Sequence, residues 1–96
     1  MQSLSKISEN QYKIIFNELD ANSRLLLLKD FDELKAEDKN TIYLNFDNVK
    51  HINNSGMLAL IELNQAAIKE NINLVFTGLR QEIKEQIYFK DILEIK

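Results

Sequence analysis

The sequence has no cysteine, no proline and no tryptophan, and it holds only two glycines and one histidine. Without cysteine there is no disulfide framework and no thiolate nucleophile or thiolate metal site. His51 alone excludes zinc centres built on several histidines and any mechanism that needs two imidazoles. Gly56 and Gly78 stand apart and cannot make a glycine-rich phosphate loop. The longest apolar run, Met57 to Ile61, is far short of the roughly 20 residues that span a bilayer. The opening Met1–Lys6 stretch lacks the apolar core of a signal peptide. No membrane insertion and a cytoplasmic location are therefore expected. Positive charge is scarce too: Arg24 and Arg80 are the only arginines, the lysines are scattered and the net charge is −3. A nucleic-acid binder needs a basic stripe to neutralise phosphates, and none is present.

What is present suffices for one folded unit. Of the 96 residues, 45% are hydrophobic and 28% charged, a balance unlike that of disordered chains. No linker, repeat or low-complexity tract divides the sequence. A short edge strand is expected at Lys6–Ser8 and a polar turn at Glu9–Gln11. Tyr12 to Phe16 is aromatic and β-branched, as a strand prefers. From Ala21 to Lys35 the period changes: Leu27, Leu28, Phe31 and Leu34 form a helical stripe, with Asp20 or Ser23 as its cap. Asp30, Asp32 and Glu33 then fall on or near the solvent side as solvated charges. Thr41 to Phe46 reads as a strand apolar on both faces, which predicts burial inside a sheet. A second helix is expected from Ser55 to Glu70, with Met57, Leu60, Ile61, Leu63, Ala67 and Ile68 on its core arc. Asn64 falls inside that arc and calls for a buried hydrogen bond. Asn73 to Thr77 reads as a strand, Arg80 to Phe89 as a short helix and Ile92 to Ile95 as a last edge strand. The order β-β-α-β-α-β-α-β predicts an α/β fold, a sheet covered by helices with parallel crossovers at its centre.

The segment Asp47–Gly56 connects the predicted buried strand to the second helix, where α/β sheets tend to carry sites. Asn53 and Asn54 suit a tight, capped turn, and Gly56 permits close approach of another backbone. Ser55 falls at the helix start, where unpaired N–H groups and the helix dipole favour negative charge. Leu58, Glu62, Gln65 and Lys69 lie on the same side as Ser55, away from the core arc. Leu58 is therefore an apolar side chain facing water one turn after an available hydroxyl, an anchor a partner can use.

The motifs, taken in order, resemble those of the STAS domain, the family of bacterial anti-sigma-factor antagonists. The family pattern G-E-L-D appears as Asn17-Glu18-Leu19-Asp20, and D-S-S-G as Asn53-Asn54-Ser55-Gly56, with Ile52 before it. The strand leading to the switch serine matches Ile42–Phe46, and the later strand with its glycine matches Leu74–Gly78. The resemblance implies a single STAS domain over residues 1–96, with a mixed sheet of four to five strands and helices mainly on one face. It implies a partner switch in which Ser55 is the phosphoacceptor. Asp20, Asn53, Asn54, Gly56, Leu58 and Glu62 would form the docking surface. The implied partners are an anti-sigma factor that is a serine kinase of the histidine-kinase-like ATPase fold, and a serine phosphatase that resets the switch. The nucleotide belongs to the kinase, so the domain itself is neither an enzyme nor a holder of cofactor or metal. Three positions depart from the pattern: Asn17 replaces glycine, Asn53 the acidic residue and Asn54 the first serine. The alternative within the fold is a docking module that no longer cycles, as in an anion transporter or a lipid-transport complex. A serine hydrolase would need a base and a nucleophile elbow that Asn53–Gly56 does not supply.

Overall fold

Alternation of side chains builds the sheet and a 3.6-residue period builds the helices above it. The computed structural model describes residues 1–96, the side chain of Lys90 excepted. A hairpin opens the chain, β1 (Leu4–Ser8) antiparallel to β2 (Gln11–Ile14), turning at Glu9 and Asn10. The two-residue strand β3 (Glu18–Leu19) leads into α1 (Ala21–Lys35). β4 (Thr41–Asn45) is followed by a second two-residue strand, β5 (His51–Ile52), and by α2 (Asn54–Lys69). β6 (Asn73–Thr77), α3 (Gln81–Gln86), a single 3₁₀ turn (Lys90–Ile92) and β7 (Glu94–Ile95) complete the chain.

The main sheet has five strands in the order β1-β2-β4-β6-β7, and every pairing after the hairpin is parallel. From β2 onwards each crossover steps in the same direction along the sheet. Right-handed crossovers that all step one way lay their helices on one face. The expected architecture is met: a mixed five-stranded sheet with its helices on one side. Tyr12, Ile14, Ile42, Leu44, Phe46, Leu74 and Phe76 point toward Leu27, Phe31 and Leu34 of α1, Leu60, Leu63 and Ala67 of α2, and Ile83 of α3 in a single core. Phe46 and Phe76 stack with ring centroids 5.5 Å apart. β4 alternates buried and half-buried residues, so its second face is less covered than its composition suggested.

Two readings of polarity change. Ile68, placed on the core arc by the helical wheel, is 65% exposed, and Ala59 is buried in its stead. Asn64 is buried as expected, and its Nδ2 donates to the Ile92 carbonyl at 3.3 Å. Asp30, expected to be solvated, is buried. Its carboxylate accepts from the backbone N–H groups of Gln2 (3.1 Å) and Ser3 (2.8 Å) and from the Ser3 hydroxyl. The flank of α1 that a wheel assigns to water is where the start of β1 lays its amides, and a charge is retained there because three donors meet it. The third helix stops at Gln86, because Ile87 turns to extended backbone.

Asp30→Ala strands those donors, and one unpaired buried group costs about 1–3 kcal/mol. Urea unfolding of Asp30→Ala should show a loss of about 2–3 kcal/mol, with faster hydrogen exchange at β1 amides, whereas Asp30→Asn, which keeps an acceptor, should lose less. An unchanged midpoint for Asp30→Ala would remove the lock.

Candidate functional site

The site is built where two very short strands hand the chain to two helices. β3 and β5 pair in parallel, Glu18 beside His51 and Leu19 beside Ile52. The Asn17 carbonyl accepts from the N–H groups of Lys50 (2.8 Å) and His51 (3.2 Å), and the Leu19 carbonyl accepts from Asn53 N–H at 3.1 Å. Because this ladder ends at Leu19 and Asn53, the N-caps of α1 and α2, Asp20 and Asn53, stand side by side.

Both caps work through a side-chain oxygen. Asp20 Oδ1 accepts from the backbone N–H groups of Asn22 (3.0 Å) and Ser23 (3.1 Å), and Ser23 Oγ accepts from Asp20 N–H at 2.7 Å, closing a capping box. Both residues named as candidate caps thus take part. The Ser23 N–H, ahead of the Ser23 hydroxyl and the Asn22 N–H, holds the Asp20 carboxyl below its ordinary value of 3.8. Asn53 Oδ1 accepts from Gly56 N–H at 3.0 Å, and the Asn53 carbonyl accepts from Met57 N–H at 2.9 Å.

Asn54 is the exposed first residue of α2 and Ser55 the half-buried second. Ser55 Oγ takes no part in the side-chain hydrogen bonds among the described residues, and no side-chain nitrogen or oxygen there is buried without a partner. The hydroxyl therefore reaches water. Gly56 is buried: a Cβ on it would sit 2.3 Å from the Leu19 carbonyl oxygen and 2.8 Å from Ile52 Cγ1. Its contribution to the shoulder is the close seating of α2 on β3, not surface of its own. Leu58, one turn on, is 49% exposed.

Glu62 is more engaged than a water-facing position suggested. Its two carboxylate oxygens accept from Arg24 of α1, Nε at 2.6 Å and NH2 at 3.0 Å, with side chains 34% and 31% exposed. That carboxylate, through its hydrogen bond first, raises the pKa of Arg24 above its usual value. Asp20, Asn53, Asn54 and Ser55 lie over the starts of the two helices with Gly56 beneath, Leu58 follows one turn up α2, and Glu62 lies two turns beyond Ser55, where α2 meets α1. Arg24 belongs to the shoulder and was not singled out in the sequence; only the pairing of α1 with α2 brings it to Glu62. The cleft over the β3–β5 pair, lined by Glu18, Asp20, His51 and Asn53, encloses about 160 Å³. Small-molecule pockets run to about 300–1,000 Å³, and this cleft is smaller. His51 is exposed on β5. Among the described residues no group of three or more histidine, aspartate or glutamate side chains is placed to hold a metal ion. No helix there is long and apolar enough to cross a membrane.

Comparison with known families matches residues 14–95 to the STAS domain. The chain belongs to the STAS domain family, and the whole shoulder lies inside the matched range, while β1 and most of β2 precede it. Domains of this family are typically protein-binding modules of the anti-sigma-antagonist type. No curated protein matches the chain.

Gly56→Ala should be destabilising despite the gain of about 1 kcal/mol that alanine brings to a helix. The added methyl meets backbone at 2.3 Å, and such overpacking costs about 1–3 kcal/mol. Urea unfolding is expected to show a net loss of up to about 2 kcal/mol, and a stabilised Gly56→Ala would mean that α2 is not seated on Leu19.

Proposed function

We propose that residues 1–96 act as one STAS docking module. The shoulder around Ser55 binds an anti-sigma factor that is a serine kinase of the histidine-kinase-like ATPase fold, and phosphorylation of Ser55 ends the complex. The observation that carries the reading is the solvent-reaching hydroxyl of Ser55 on the second residue of α2, with exposed Leu58 one turn away. A hydroxyl at the edge of an apolar anchor tolerates burial by a partner. A phosphate there adds about −1.5 to −2 charges and must be desolvated, which drives the surfaces apart.

In the proposed reaction the γ-phosphoryl group of the partner's ATP passes to Ser55 Oγ, the hydroxyl proton leaves and ADP departs. A serine phosphatase hydrolyses the ester and restores the hydroxyl. The module itself is substrate and binder, not an enzyme, and holds no cofactor. Its proposed setting is the cytoplasm, where such a kinase finds ATP. Asn53 in place of an acidic residue fits this reading, because the cap to Gly56 N–H uses one oxygen and Asn and Asp cap about equally well.

Incubated with the kinase and ATP, the protein should gain the mass of one phosphate, and Ser55→Ala should gain none. Titration calorimetry should show Leu58→Ala binding the unphosphorylated-state partner about tenfold more weakly, the effect of about 1.4 kcal/mol. Full-strength binding by Ser55→Asp would defeat the switch and favour the non-cycling docking module.

A further inference from the structure

We propose that Arg24 is the internal receptor for a phosphate on Ser55, and that it exchanges Glu62 for that phosphate when the serine is modified. The inference rests on Ser55 being the modified residue and adds what the modification does within the chain.

The argument starts from the level at which the two helices begin. The bond from Asn53 N–H to the Leu19 carbonyl puts the caps Asp20 and Asn53 at one height. Arg24 lies four residues past its cap, and Ser55 and Glu62 lie two and nine past theirs. At 1.5 Å of rise per residue, Arg24 starts about 3 Å above the level of Ser55 and about 7.5 Å below that of Glu62. The side chain already bridges the longer of the two gaps.

Direction agrees with height. At 100° per residue Ser55, Ala59, Glu62 and Ala66 share one side of α2, and the Arg24–Glu62 pair shows that this side faces α1. On that side Ala59, fully buried, and Leu58, 49% exposed, flank the line from Ser55 to Glu62. The Asp20 carboxylate nearby is occupied by the α1 cap.

The exchange is favoured by charge. A partly exposed arginine–carboxylate pair gains little, because water screens it and two long side chains must be held in place. A phosphate presents three acceptor oxygens and about twice the charge, and guanidinium binds it with two parallel hydrogen bonds. Glu62 is then left as a free carboxylate beside Leu58. Modification at one residue changes the shoulder at two places, two turns apart, and both changes add negative character where a partner would dock.

The test needs no kinase, so it is independent of whether a kinase accepts Ser55. Phosphoserine is installed at position 55 during synthesis of the full chain, and its second ionisation is followed by phosphorus NMR. The ordinary value is about 6; a guanidinium in contact should lower it by about one unit in the otherwise unaltered chain. Arg24→Gln should raise it back toward the ordinary value, and Glu62→Gln, which removes the competitor, should keep it low. The Arg24 Nε nitrogen signal of the unaltered phosphorylated chain should shift on phosphorylation and titrate with the same midpoint, a measurement that stands even if Arg24→Gln does not fold. Equal midpoints with and without Arg24, or an Nε signal indifferent to the phosphate, would overturn the proposal.

Discussion

The contact between the first turn of α2 and the carbonyl of Leu19 decides most of what is interesting in this protein. It exists because Gly56 has no side chain: any Cβ would stand at 2.3 Å from that oxygen. With α2 seated there, Leu19 accepts from Asn53 N–H, β3 and β5 can pair for their two residues, and both helix caps come level. Arg24 can then meet Glu62 across the helix pair. Were α2 lifted even by the width of a methyl group, the caps would separate and the shoulder would lose its common floor.

The rest of the structure makes that shoulder rigid. The one-way strand order puts α1 and α2 on the same face, and their buried leucines and Phe31 fix them to the sheet. Asp30, near the far end of α1 from Asp20, ties that helix to the start of β1. Gly78, at φ +69°, takes the left-handed conformation that glycine reaches without strain, with the Asp47 carboxylate packed against it. Arg80 donates to the carbonyls of Val49 and Asp47, holding the segment that leads into β5. The modification proposed at the start of α2 would therefore meet a scaffold fixed on several sides, and its effect would be one of charge and local pairing more than of refolding.

Much of this was legible in the sequence, for identifiable reasons. α1 and β6 carry fifteen- and five-residue patterns long enough for a period to show, and their predicted limits agree with the structure. β3 and β5 are invisible by the same logic, since two residues cannot display alternation; they exist only because they find each other. Ile68 was misplaced because α2 has apolar residues on more than its buried arc, and only tertiary contact says which of them is covered. Asp30 and the Arg24–Glu62 pair were missed for a related reason. The worth of a charge depends on what arrives from elsewhere in the chain, an amide in one case and a second helix in the other. The cap residues and Gly56 could be read because their roles are local or demand one residue type.

The two asparagines before Ser55 bear on the switch in a way the family pattern alone does not convey. An aspartate at position 53 would cap α2 about as well as asparagine, so the fold is indifferent to the replacement. Electrostatically the two differ. With Asn53 and Asn54 neutral and Arg24 matched by Glu62, the start of α2 carries no net side-chain charge before modification. A phosphate then takes that spot from neutral to about −2, whereas an acidic residue would already have made the unmodified surface anionic and narrowed the difference. Under the proposed switch the asparagines leave the contrast between the docked and released states wide. Under the same proposal, what they alter is recognition by the kinase, which would have to find Ser55 without a neighbouring carboxylate at position 53.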